Sequence, residues 1–196
     1  FVQTLIFSLA VKYSPEHVNF YLLDFSSGML GALEKLPHMG GIVRETEIDR
    51  VGKFFNMIMS IIEERKILLK GGNYSQYVKA YGTKIPSIII AIDNFAGFRE
   101  KTENKFEDVI INLARDGVGY GIYLVMTSAG FGISEIPNRI GDNIRTVVSL
   151  EMSDKFKYCP EFRNCNNFFH AAGFYFVKHI ENFKQSQSGS IIIITA

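Results

Sequence analysis

The segment from Ser87 to Asn94, SIIIAIDN, decides the fold. Its apolar residues run without polar alternation, as in a strand covered on both faces of a parallel sheet, and the run ends in an acid. Downstream, residues 121–129 (GIYLVMTSA) and 145–152 (RTVVSLEM) repeat the type, and upstream so do residues 18–25 (VNFYLLDF). Helical patterns lie between them. Residues 1–12 put Val2, Leu5, Ile6, Leu9 and Ala10 on one face. Residues 48–70 space Ile48, Val51, Phe55, Met59 and Ile62 helically before Gly71-Gly72, and a third helix is expected over about 103–116. The run Glu63-Glu64-Arg65-Lys66 reads as a solvated face. Strand and helix alternating at these lengths predict an α/β protein with a doubly wound, mostly parallel sheet. The tail from Pro160 onward is aromatic and Asn-rich and ends in QSQSGSIIIITA, where strands or a hairpin are expected.

The chain has 196 residues, 47% hydrophobic and 21% charged, with 21 Lys plus Arg against 20 Asp plus Glu. That balance suits one compact domain, read as 1–196, and supplies no global field for nucleic acid. No apolar run reaches the roughly 20 residues that cross a bilayer. Cys159 and Cys165 lack ligand-spaced neighbours and read as free thiols in a reducing cytoplasm, and His17, His38, His170 and His179 stand near no nucleophile.

In open parallel sheets ligands bind at the carboxyl ends of the strands. There, an apolar strand ending in Asp93 has the form of a Walker B segment, whose carboxylate holds the Mg²⁺ of a nucleotide directly or through water. An Asp that caps the next helix would give the same letters. Asn94 follows where a general base would stand, and an amide has no usable basic pKa, so hydrolysis is expected to be weak or absent. Thr127 and Ser128 end the next strand, as γ-phosphate contacts or as plain strand-end hydroxyls. Asp24, with Ser26 and Ser27, either contributes to the same site or shapes its turn. No GxxxxGK[ST] occurs in the 196 residues, so the phosphates lack their backbone cradle and lysine here.

Several longer blocks resemble the FtsK/SpoIIIE branch of P-loop motor ATPases. They are residues 22–43 (LLDFSSGMLGALEKLPHMGGIV), 62–69 (IEERKILL), 88–100 (IIIAIDNFAGFRE), 113–130 (LARDGVGYGIYLVMTSAG) and 136–154 (IPNRIGDNIRTVVSLEMSD). They follow the family's order over about residues 1–158, and residues 159–196 match poorly. The resemblance implies a RecA-like P-loop NTPase fold, with Asp93 as the Mg²⁺-linked acid, Asn94 at the catalytic Glu position, and Thr127 and Ser128 after the fourth strand. Arg115 matches an Arg that could reach a neighbouring subunit, while a second family Arg is replaced by Val118. FVQTLIFSLA is similar to the helix that follows GK[ST], so Phe1 is expected just beyond a Walker A loop that is cut off. GSIIIITA is similar to the strand that enters such a loop, or is the family's own final strand.

The LDFSSGML, IDNF and LEMSD variants look more like the type VII secretion motors of the EssC/EccC/YukBA type than like DNA translocases. That implies ATP and Mg²⁺ as cofactors in the full protein, bound weakly by this stretch. The partners it implies are neighbouring ATPase domains, other subunits of a hexameric ring, and small helical secreted proteins. The setting it implies is a cytoplasmic domain of a membrane-anchored bacterial protein, in a later, degenerate tandem position. A DNA translocase is the first alternative, and a non-catalytic protein-binding platform built on the aromatic tail, Phe168 to Phe176, is the second.

Overall fold

The computed structural model describes residues 1–130, 132–150, 174–175 and 190–194. The strands are β1 Val18–Asp24, β2 Met39–Arg44, β3 Ser87–Asp93, β4 Ile122–Ser128, β5 Ile144–Leu150, β6 Phe174–Tyr175 and β7 Ser190–Ile194. The helices are α1 Val2–Lys12, α2 Ile48–Leu69, α3 Tyr74–Tyr81, α4 Phe95–Lys101, α5 Glu107–Asp116 and the single-turn α6 Asn138–Gly141. All seven strands join one sheet in the order β2-β1-β3-β4-β7-β5-β6. Every pairing is parallel except that of β5 with β6.

The sheet has two covered faces because its strands are apolar on both. On one face Leu23, Ile88, Ile90, Ile92, Leu124 and Met126 pack under α2, α4 and α5, through Phe55, Ile58, Phe98, Ile110 and Leu113. On the other, Phe20, Leu22, Ala91, Val125 and Val148 meet Val2 and Ile6 of α1, with Leu30 and Leu33 of a 3-10 turn. Helices on both faces of a parallel sheet make the doubly wound arrangement that the sequence predicts.

Four local differences from the expected pattern have physical causes. The helix expected over 103–116 is α5, which starts only at Glu107 because Glu103 and Asn104 take positive φ of 53° and 58°, and a separate short helix, α4, precedes that break. Helix α3 is a short element opened by a reciprocal Asn73–Gln76 capping box, a local signal that carries no long apolar stripe. Strand β2 contains Gly40-Gly41, poor strand formers, yet a Cβ at Gly40 would enter the Tyr21 ring, so glycine is what lets β2 approach β1.

The fourth is a correction. Arg65 is not part of a solvated face but is 5% exposed. It donates to the carbonyls of Tyr120 (2.6 Å) and Pro86 (2.6 Å), with a longer contact to Gly121 (3.2 Å), and lies over the Tyr74 ring. Burial pushes its pKa below that of an ordinary guanidinium. Glu63, Glu64 and Lys66 remain exposed, as expected. Of the tail, only β6 and β7 fall among the described residues; Cys159, Cys165 and most of Phe168 to Phe176 lie outside them.

Candidate functional site

Parallel pairing brings the carboxyl ends of β1, β3 and β4 to one edge, with Asp24 level with Asp93 and Ile92 level with Met126. Side chains alternate along a strand, so the residues that share a face at this edge follow from the packing below them. Asp93 lies two residues beyond Ala91, and Thr127 two beyond Val125, both on the α1 face. Their meeting is direct. The Thr127 hydroxyl donates to Asp93 Oδ1 at 2.6 Å and accepts from the Asn94 backbone N–H at 2.8 Å. One hydroxyl therefore orients the carboxylate and ties β4 to the turn after β3.

Ser128 does not join them. Alternation turns it toward the opposite face, where it is 2% exposed and its Oγ has no hydrogen-bond partner among the described residues. Asn94 sits at φ 62°, a left-handed conformation that Asn tolerates better than most residues. Its side-chain oxygen accepts from the Gly97 N–H at 3.1 Å, capping α4, and its amide donates to the Phe25 carbonyl at 2.9 Å. A Cβ at Gly97 would collide with that amide, so Gly97 is the space the cap needs. The amide is engaged in holding β1 to α4.

Asp24 is 2% exposed. Its Oδ1 accepts from the N–H groups of Ser26 (3.3 Å) and Gly28 (3.2 Å), and its Oδ2 from Leu30 (3.0 Å). The loop so shaped leads to Met29, whose carbonyl accepts from Gln3 Nε2 at 2.6 Å near the start of α1. Asp24 thus sets the loop that anchors α1 at this edge, a role its letters left open. Gln3 and Phe25 carried no sequence signal, since each acts through contacts distant along the chain. Arg115 is elsewhere: exposed on α5 near the amino ends of the strands, it pairs with Asp116 at 2.8 Å and Asn112 at 3.0 Å.

The donor set fits Mg²⁺ with a nucleotide rather than an all-protein metal cage. Mg²⁺ in such sites takes one or two carboxylates and fills the rest with phosphate and water. Asp93 is partly exposed and held through one oxygen only, and among the described residues no group of three or more His, Cys, Asp or Glu converges. Nor is any described helix long and apolar enough to cross a membrane.

A concavity lies at the amino-end side, between the C-terminus of α2 and α3. This groove of ≈ 440 Å³ is lined by Leu68, Tyr77 and Tyr81, with Lys70 and Lys84 at its borders. Tyr81 is 62% exposed and Leu68 42%.

Comparison with known proteins bears on the family and the fold. EccC of Thermomonospora curvata, an ESX secretion system protein, is 30% identical over 171 residues, covering 80% of this chain and 12% of that protein. The type VII secretion system protein EssC of Staphylococcus aureus is 30% identical over 154 residues, 76% of this chain and 10% of that one. The chain thus spans about a tenth of their length. Among solved structures, EssC (ATPases 2 and 3) from Geobacillus thermodenitrificans superposes with a TM-score of 0.72 at 29% identity, over 80% of this chain and 30% of that one. Thermomonospora curvata EccC (ATPases 2 and 3), solved with a signal sequence peptide, gives 0.71 at 30% identity, over 80% and 29%. The fold is therefore that of a P-loop ATPase domain. Residues 1–157 match the FtsK/SpoIIIE family, and the chain belongs to it.

Proposed function

We propose that this chain is a nucleotide-responsive, hydrolytically weak ATPase-type domain of a type VII secretion motor. The observation that carries the reading is the Asp93 carboxylate held by Thr127 at the carboxyl edge, beside the start of α1. Asp93 would hold Mg²⁺ through water, Thr127 would keep the carboxylate aimed, and Asp24 would keep the α1 end in place. Bound Mg·ATP supplies the phosphate charge to which such a site responds. Asn94 leaves the edge without a carboxylate base where a hydrolase needs one, and its amide is committed to Gly97 and Phe25. The domain then acts by coupling: nucleotide occupancy biases its packing against neighbouring domains, and substrate binding biases the same equilibrium.

The α2–α3 groove favours a peptide-accepting role within this reading. Its Leu and Tyr floor with flanking lysines suits an apolar, acidic segment of a helical secreted protein. Arg65 ties this region to the starts of β3 and β4, the two strands that carry Asp93 and Thr127 near their carboxyl ends.

The test is equilibrium binding of a fluorescent ATP analogue to the full-length protein, wild type and Asp93→Ala, with and without Mg²⁺. The variant is expected to lose the Mg²⁺-dependent part of the affinity. Equal Mg²⁺ dependence in the two proteins would remove Asp93 from the site.

A further inference from the structure

Helix α1 is apolar on every side. Residues 1–11 carry no charged side chain, and Lys12 is the first. The inner side of the helix, Val2 and Ile6 with Leu5, Leu9 and Ala10 beside them, covers the sheet. Its outer side holds Phe7 at 58% exposure and Val11 at 72%. With Gln3 these residues stand at i, i+4 and i+8 and form one row along the helix, about 12 Å long. Gln3 extends the row to Met29, which is 61% exposed, through its 2.6 Å hydrogen bond to the Met29 carbonyl. Thr4 and Ser8 flank the row, and the Ser8 hydroxyl donates to the Thr4 carbonyl at 2.7 Å, so little on this side demands water. A helix that is apolar all round belongs in a core or a membrane. At 11 residues α1 is too short to cross a bilayer, so its outer row calls for a protein cover.

We propose that a second ATPase-type domain of the same chain docks on the Phe7–Val11–Met29 row. The size of the row selects a tethered partner. Three such side chains expose on the order of 300 Å², against roughly 800 Å² per partner in a stable interface between free proteins. A domain joined by a linker needs far less, because its effective concentration is already about millimolar. The absence of charge narrows the choice further. An uncharged apolar face suits a lasting contact, as in obligate interfaces, better than a secreted protein that must be released. The solved EssC and EccC relatives hold two ATPases in one chain, and for the presence of such a neighbour here the proposal rests on the motor-domain reading above. The row lies on the sheet face opposite α2, so a docked domain leaves the α2–α3 groove open. Its Met29 end adjoins the loop that Asp24 shapes, which brings the neighbour close to the Asp93 edge.

The experiment uses the purified full-length protein with the photocrosslinker benzoylphenylalanine in place of Phe7. After irradiation the crosslinked peptides are identified by mass spectrometry. The expected product runs as a monomer on a denaturing gel and joins position 7 to another ATPase-type domain of the chain. It should be lost when Val11→Glu is added, because a carboxylate in an apolar contact must shed its water, and kept with Val11→Ile. A product that joins two copies overturns the proposal, as does one that reaches only residues 1–196 or a part of the chain that is not an ATPase-type domain. No crosslink overturns it too, and so does a crosslink indifferent to Val11→Glu. Nucleotide is left out throughout, so failure here and failure of the Asp93→Ala binding test are separate results.

Discussion

At the residue scale, Asn94 carries two jobs that its letter alone does not separate. Its amide caps α4 and crosses to Phe25, and its backbone takes a positive φ of 62°. Asn94→Ala should destabilise the domain by about 1–3 kcal/mol in urea unfolding, from the lost cap and the buried Phe25 carbonyl left unpaired. Asn94→Glu meets the left-handed backbone as well, so stability should fall without a gain in turnover, measured as phosphate release by the full-length protein. Thr127 is a second test. Thr127→Val keeps the shape but orphans the Asn94 N–H and releases Asp93, at a cost of about 1–3 kcal/mol. Thr127→Ser, which keeps the hydroxyl, should retain most of both stability and Mg²⁺-dependent nucleotide binding.

At the scale of elements, α2 is held at both ends by polar groups that face the backbone. At its N-terminus, Glu47 accepts from the Arg44 N–H at 3.0 Å and pairs with Arg50. The Arg44 hydrogen bond, with Arg50 second, holds its carboxyl below the usual 4.5. A carboxyl pKa depressed on folding adds stability that is present above the unfolded value and is lost as pH falls through the folded one. Wild type and Glu47→Gln should therefore differ in Tm at pH 7 and converge below about pH 4, in thermal melts by circular dichroism. The difference should be small, because Glu47 and its partner Arg50 remain partly exposed to solvent. Near the C-terminal end of α2, Arg65 is the larger effect. Arg65→Met should cost about 2–4 kcal/mol, because the Tyr120 and Pro86 carbonyls lose a charged donor in a buried place. The loss should show as a lower urea midpoint with an unchanged m-value.

At the scale of the molecule, a net charge of +1 bears on the DNA-translocase alternative. A surface that grips phosphates releases counterions and shows a steep salt slope. Fluorescence anisotropy with duplex DNA at low salt is expected to show no binding tighter than the weak non-specific range. A strong, salt-sensitive affinity would instead revive that alternative. The Asp93–Thr127 edge and the α2–α3 groove also sit at opposite ends of the same strands, the one at their carboxyl ends and the other near their starts.

The sequence by itself determined the layered α/β architecture, the parallel sheet and the family. Unbroken isoleucine runs bury both faces of a strand, and helical apolar spacing supplies the covers, so both are legible one segment at a time. It also placed Asp93 at the carboxyl edge of the sheet, because an acid ending such a strand stands there wherever the strand lies. Only the tertiary structure decided which residues act together. Strand alternation parted Ser128 from Thr127, and backbone donors far along the chain turned Asp24 into a loop anchor. Carbonyls from two other elements drew Arg65 inward. Strand order put β7 between β4 and β5. Each of these depends on a partner distant in sequence, and a local pattern carries no record of such a partner.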